Sequence, residues 1–137
     1  MQTALDSNIL SSIWSAEASA PRVKQQLIQA RAQGRLVICA PVYAELSAHP
    51  LVTPGVVDRL LREAGIHIDF DLDEAIWRRA AEHFAAYCQR RRLSGGSSPK
   101  RFLADFLIAA HAIVRSDRLL TLDPARYSID FPNLRLL

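Results

Sequence analysis

Short apolar runs alternate with longer amphipathic stretches along the chain, and that alternation predicts strands and helices in turn. Gln2 to Asp6 reads as a first strand, followed by a short helix to Trp14 that Ser7 or Asn8 can cap. Pro21, a natural first-turn residue, opens a second helix that stops at Gly34. Leu36-Val37-Ile38-Cys39 is apolar throughout, the pattern of a strand buried on both faces. Pro41 opens a helix from Val42 to about Ala48, and His49-Pro50 ends it because the residue before proline is pushed out of α geometry. Thr53-Pro54 starts an amphipathic helix carrying Val56, Val57, Leu60 and Leu61, and Ile66, Ile68 and Phe70 alternate as a strand. Asp71 or Asp73 then caps a long helix through Trp77, Ala80, Phe84 and Cys88.

Ser94-Gly95-Gly96-Ser97-Ser98-Pro99 has the composition of a mobile loop and is too short to divide domains. Lys100 to about Val114 is an almost wholly apolar helix, Arg118 to Thr121 a strand, Pro124 to Tyr127 a helical turn, and Leu134 to Leu137 a closing strand. The expected fold is therefore α/β, a Rossmann-like α/β/α sandwich around a mostly parallel sheet of about five strands. Ligands of such sheets bind beyond the carboxyl ends of the strands, where strand order reverses.

Composition narrows the class. At 137 residues one domain, 1–137, is expected, large enough to bury roughly two thirds of its unfolded surface. Half the residues are hydrophobic and 23% are charged, which excludes a disordered chain. No apolar run approaches the ~18 residues that span a bilayer. Met1 to Asp6 lacks the basic and apolar regions of a signal peptide, so a cytoplasmic protein without membrane partners is expected. The net charge of +3 and pI near 9.2 suit an anionic partner but supply only a modest long-range field. Cys39, in an apolar run, reads as a buried free thiol, and neither it nor Cys88 asks for an oxidising compartment.

The chemistry-bearing residues are acids. Asp6 ends the first strand and Asp123 follows Leu119-Leu120-Thr121-Leu122, so both fall at carboxyl ends of strands, although each also fits a helix-opening cap. Asp105 lies within Phe102-Leu103-Ala104-Asp105-Phe106-Leu107-Ile108-Ala109-Ala110, far from the expected helix end. A buried carboxylate there needs a metal, a hydrogen bond or an ion pair, and Arg101 one turn earlier is the bland partner. Glu45 sits early in the helix after the second strand, where the helix dipole also favours an acid. If the four converge, repulsion and desolvation raise their pKa values unless cations neutralise them, and an all-oxygen site suits Mg²⁺ or Mn²⁺ better than zinc. His49, His67, His83 and His111 show no metal-ligand spacing.

These motifs resemble the PIN domains, and within them the VapC-type toxins of bacterial toxin–antitoxin pairs. Leu5-Asp6-Ser7-Asn8-Ile9-Leu10 is similar to the family's opening strand motif, and Val42-Tyr43-Ala44-Glu45-Leu46 to its glutamate helix. Asp105-Phe106-Leu107-Ile108-Ala109-Ala110-His111-Ala112 resembles its aspartate helix, and Leu119-Leu120-Thr121-Leu122-Asp123 its late strand. Ser7 stands where many relatives carry Thr. The resemblance implies an acidic site of Asp6, Glu45, Asp105 and Asp123, supported by Asn8 and Thr121. It further implies Asp6 and Asp105 as direct ligands of Mg²⁺ or Mn²⁺, with Asp123 and Glu45 completing the shell or holding a second ion. The activity implied is metal-dependent endoribonuclease cleavage, with transfer RNA as target. A cognate antitoxin and a homodimer are implied as partners.

Arg90-Arg91-Arg92 and Lys100-Arg101 flank the loop and lead into the helix carrying Asp105, the natural place to hold an RNA backbone beside the acids. The same residues also read as a solvated basic helix end. Competing functions are a housekeeping PIN nuclease of RNA processing and a non-catalytic nucleic-acid-binding module whose acids only cap helices. A phosphatase with an aspartate nucleophile is disfavoured because Asn8 stands where such enzymes of the haloacid dehalogenase type place a second Asp.

Overall fold

The computed structural model describes residues 1–53, 55–96 and 101–137. Pro54 and Lys100, with the 97–99 part of the glycine-serine stretch, lie outside the described residues. Four strands, β1 (Gln2–Leu5), β2 (Arg35–Cys39), β3 (Ile66–Asp69) and β4 (Arg118–Leu120), form one parallel sheet in the order β3-β2-β1-β4. Thr3 faces Leu36 and Arg118 across the two seams of β1, and Ala4 faces Val37 and Leu119. The fifth strand expected at Leu134 to Leu137 is reduced to a single parallel bridge between Leu119 and Leu136.

Seven helices connect the strands among the described residues: α1 (Ser7–Trp14), α2 (Ala20–Gln33), α3 (Ala40–Ser47), α4 (Val56–Ala64), α5 (Glu74–Leu93), α6 (Leu103–Arg115) and α7 (Pro124–Ser128). In β1 and β2 every residue from Thr3 to Leu5 and from Leu36 to Cys39 is buried, so helices cover both faces of the sheet. This is the α/β/α sandwich that the alternation of apolar runs predicts.

Local chemistry fixes several boundaries. Gly34 ends α2 where the chain passes β1, and a Cβ there would lie 1.7 Å from the Met1 carbonyl oxygen. That oxygen accepts the Arg35 N–H at 2.8 Å, which starts the β1–β2 seam. Asp73 caps α5 by accepting the Ile76 N–H at 3.1 Å. Arg115, at the end of α6, reaches Asp73 at 2.6 Å and Asp69 at 3.5 Å. His111, fully buried in α6, meets Asp69 at 3.0 Å, so β3 is tied to α6 from two directions. Phe70, expected in β3, lies past its end, exposed and edge-on to Tyr43.

Helix α6 begins at Leu103, three residues later than the apolar run suggests, with Phe102 at its N-cap. Asp105 therefore stands in the first turn, not in the helix interior. The helix is buried continuously from Asp105 to Ala112. No described helix is long and apolar enough to cross a membrane.

Candidate active site

From β1 the chain builds outward through β2 to β3 and then returns to the other side of β1 as β4, so strand order reverses between β1 and β4. A crevice opens at the carboxyl ends of two such strands. Asp6 lies there, extending the pairing by donating its N–H to the Leu120 carbonyl at 3.0 Å.

The Asp6 side chain is almost fully buried, and three donors hold it. Oδ1 accepts the Ser7 N–H at 2.8 Å, which makes Asp6 the N-cap residue of α1. Oδ2 accepts the Thr121 hydroxyl at 2.8 Å and the Tyr127 hydroxyl at 2.9 Å. Burial raises the Tyr127 pKa, and the charge of Asp6 and its hydrogen bond raise it further, so the phenol stays a donor. Asn8 does not cap α1. Its Oδ1 accepts the Leu122 N–H at 3.2 Å and its Nδ2 donates to Thr121 Oγ1 at 3.3 Å, tying α1 to the end of β4.

Asp105 is also buried, and its Oδ2 accepts Arg126 Nη2 at 2.7 Å, with Arg101 Nε 3.9 Å away. Burial raises its pKa against the two guanidinium charges, and the Asp6 charge adds to the rise. Glu45 is exposed as a residue, yet crowding of its carboxyl raises its pKa. The charges of Asp6 and Asp105 raise it further, against a hydrogen bond from Ser7 and the charge of Arg126. Asp6, Glu45 and Asp105 thus share one electrostatic neighbourhood. Cys39, beside it at the N-cap of α3, is an inert thiol whose pKa is pushed up to about 12 by burial.

Asp123 is exposed at the N-cap position of α7, and its side chain makes no capping bond. Its backbone N–H donates to Thr121 Oγ1 at 3.1 Å. Among the described residues no three His, Cys, Asp or Glu side chains gather closely enough to hold an ion as they stand. Arg126 is already on Asp105, where a cation would compete with it.

The basic segment divides. Arg90 and Arg101 both pair with Asp130, an almost fully buried acid after α7. Arg101 also lies over the rings of Phe106 and Tyr127, 4.9 and 5.4 Å from their centroids. Arg92 is exposed at the end of α5, Arg91 is half-buried, and Lys100 lies outside the described residues. Three participants escaped the sequence reading: Arg126, Tyr127 and Asp130. Asp130 carried one signal, an acid between the apolar Ile129 and Phe131. Arg126 and Tyr127 carried none, because an Arg-Tyr pair in a helical turn is ordinary surface composition.

The family model described as PIN domain matches residues 3–132. No curated protein matches the chain significantly. Among solved structures, VapBC2 from Rickettsia felis, bound to a DNA fragment from its promoter, is similar at 20% identity and a TM-score of 0.63, covering 100% of this chain and 98% of that one. VapBC-1 from nontypeable Haemophilus influenzae gives 20% identity and 0.63 over 100% and 97% of the two chains. FitAcB from Neisseria gonorrhoeae gives 20% and 0.63 over 98% and 96%. Each shares the fold from end to end.

Proposed function

The chain belongs to the PIN domain family, and from that premise we propose that it is a metal-dependent endoribonuclease, the toxin of a VapBC-type toxin–antitoxin pair. The observation that carries the reading is the set of three coupled acids, Asp6, Glu45 and Asp105, at the crevice between β1 and β4, two of them with raised pKa values. Burial and the charges of the neighbouring acids raise them even with Arg126 on Asp105, a cost that a cation among them would relieve. Their donors are all oxygen, which fits Mg²⁺ or Mn²⁺. Asp6 and Asp105 would hold the ion, Glu45 would complete its shell, and Asp123 would join from the end of β4.

A bound divalent cation there would supply activated water and neutralise charge on the phosphate under attack. The chain's own residues have separate tasks. Ser7, Thr121 and Tyr127 fix the Asp6 carboxylate, so it loses little freedom on engaging a ligand. Glu45, which shares the electrostatic neighbourhood of Asp6 and Asp105, would orient water toward the phosphate as its carboxylate. Arg126, once off Asp105, offers two donors to a phosphate oxygen. Arg90, Arg91, Arg92, Lys100 and Arg101 supply positive charge for the RNA backbone.

The neighbours in fold are VapBC complexes and FitAcB. By analogy the chain is a single-domain, cytoplasmic homodimer silenced by a cognate antitoxin, with transfer RNA as substrate. One observation favours a second reading: Asp105 is already ion-paired by Arg126, as it would be in a module that binds nucleic acid without cutting it. Incubation with RNA separates the two. The nuclease cuts with Mg²⁺ or Mn²⁺, stops in EDTA, and loses at least about a hundredfold in rate on Asp105→Asn while staying folded. A monodisperse protein that leaves RNA intact with either ion is the binding module.

A further inference from the structure

Beside the acidic crevice, between the end of α5 and the turn after α7, lies a cavity of about 360 Å³. That is the lower end of the ~300–1,000 Å³ range of small-ligand sites. Its lining has two characters. Arg90, Arg91, Arg101 and Arg126 supply positive charge against the single acid Asp130, whereas Tyr87 and Ile129 supply apolar wall. Such a lining calls for a ligand with an anionic end and a flat apolar body.

Arg101 is the most constrained of these groups. Its side chain is only 12% exposed and is held by Asp130 and by the faces of Phe106 and Tyr127. Yet its Nε and Nη2 have no hydrogen-bond partner among the described residues. Both atoms are walled off from solvent, so what Arg101 offers a ligand in the cavity is its positive charge and not these donors. Arg126 joins the cavity to the crevice, since it lines the first and bonds to Asp105 in the second.

We propose that this cavity is a nucleotide-binding site, which seats one unstacked nucleotide of the RNA next to the phosphate under attack. The phosphate meets the guanidinium groups, and the base lies against Tyr87 and Ile129. Single-stranded RNA is read by bases splayed onto aromatic and guanidinium planes, and each base stacked on an aromatic side chain adds affinity that phosphate alone lacks. An acidic peptide would satisfy the arginines but leave the apolar wall unused. The assignment deepens the nuclease reading and rests on it for the source of the nucleotide.

Titration in EDTA, where nothing is cut, tests it with the four nucleoside 5′-monophosphates, inorganic phosphate and an acidic hexapeptide. At least one nucleotide is expected to bind tenfold or more tighter than phosphate. Ile129→Ser, at an exposed position, should abolish most of that preference and leave phosphate affinity within twofold. Equal affinity for phosphate and all four nucleotides overturns the proposal, as does an unchanged preference in Ile129→Ser or a hexapeptide that binds tighter than any nucleotide. The two readings fail separately. Nucleotide binding by a protein that leaves RNA intact with Mg²⁺ sinks the nuclease alone. RNA cleavage without nucleotide preference sinks the cavity alone.

Discussion

Asp105 combines burial, a guanidinium on one oxygen and a pKa that is still raised above the carboxylate value of 3.8. A carboxyl whose pKa rises on folding binds its proton more tightly in the folded state. Its contribution to stability is therefore complete below the unfolded value and is lost as pH climbs through the folded one. Asp105→Asn, which removes the charge and keeps the shape, should leave the melting temperature at pH 7 equal or higher. That advantage should fade toward pH 4, as thermal melts across the range would record. Tyr127→Phe should act in the opposite sense. It strips a buried carboxylate of one of three donors, and a hydrogen bond to a charged group contributes about 1.5–3 kcal/mol, readable by urea unfolding. Asp105 stood out in the sequence because an acid in an apolar run demands a partner, and Asp6 because it ends a strand where an open α/β sheet places its site. The partners themselves, Tyr127 and Arg126, were illegible, since which donor reaches Asp6 or Asp105 depends on how α7 is set down after β4.

At the level of elements, the seam between β1 and β2 depends on a backbone approach at Gly34. Gly34→Ala would place a methyl group against the Met1 carbonyl, and overpacking of this kind costs roughly 1–3 kcal/mol, visible as a lower urea midpoint with an unchanged slope. The stop at Gly34 was legible from helix-ending chemistry, but its contact with Met1 was not, because that contact joins residues at opposite ends of the β1–α2 segment. The start of α6 was misplaced for a physical reason. Apolar periodicity cannot tell a helix turn from an extended lead-in, and Phe102 is extended and exposed where the pattern suggests helix. The displacement matters, because it moves Asp105 into the first turn, where its carboxylate meets Arg126 of α7. The closing segment near Leu136 alternates as a strand should, yet pairing with Leu119 alone leaves it a bridge.

For the molecule as a whole, the parallel sheet and a site at the carboxyl ends of its strands followed from alternation of strands and helices, whereas the strand order did not, and the basic rim is more than a row of free charges. Arg90 and Arg101 are tied to buried Asp130, so replacing them perturbs the fold as well as any RNA contact. Asp130→Ala, which strands the buried Arg101 guanidinium and frees the half-exposed Arg90, should cost roughly 3–5 kcal/mol in chemical denaturation. Arg92, exposed and away from that network, is the cleaner probe. Arg92→Ala should weaken RNA binding at every sequence and lower the slope of log affinity against log salt by about one, measured with uncleavable RNA. Direct titration with Mn²⁺ reaches the premise under all of this, that Asp6, Glu45 and Asp105 grip one divalent cation in competition with Arg126. Wild type should bind the ion, Asp105→Asn at least tenfold more weakly, and Arg126→Ala more tightly. Absence of binding in wild type, or equal affinity in all three proteins, would contradict it.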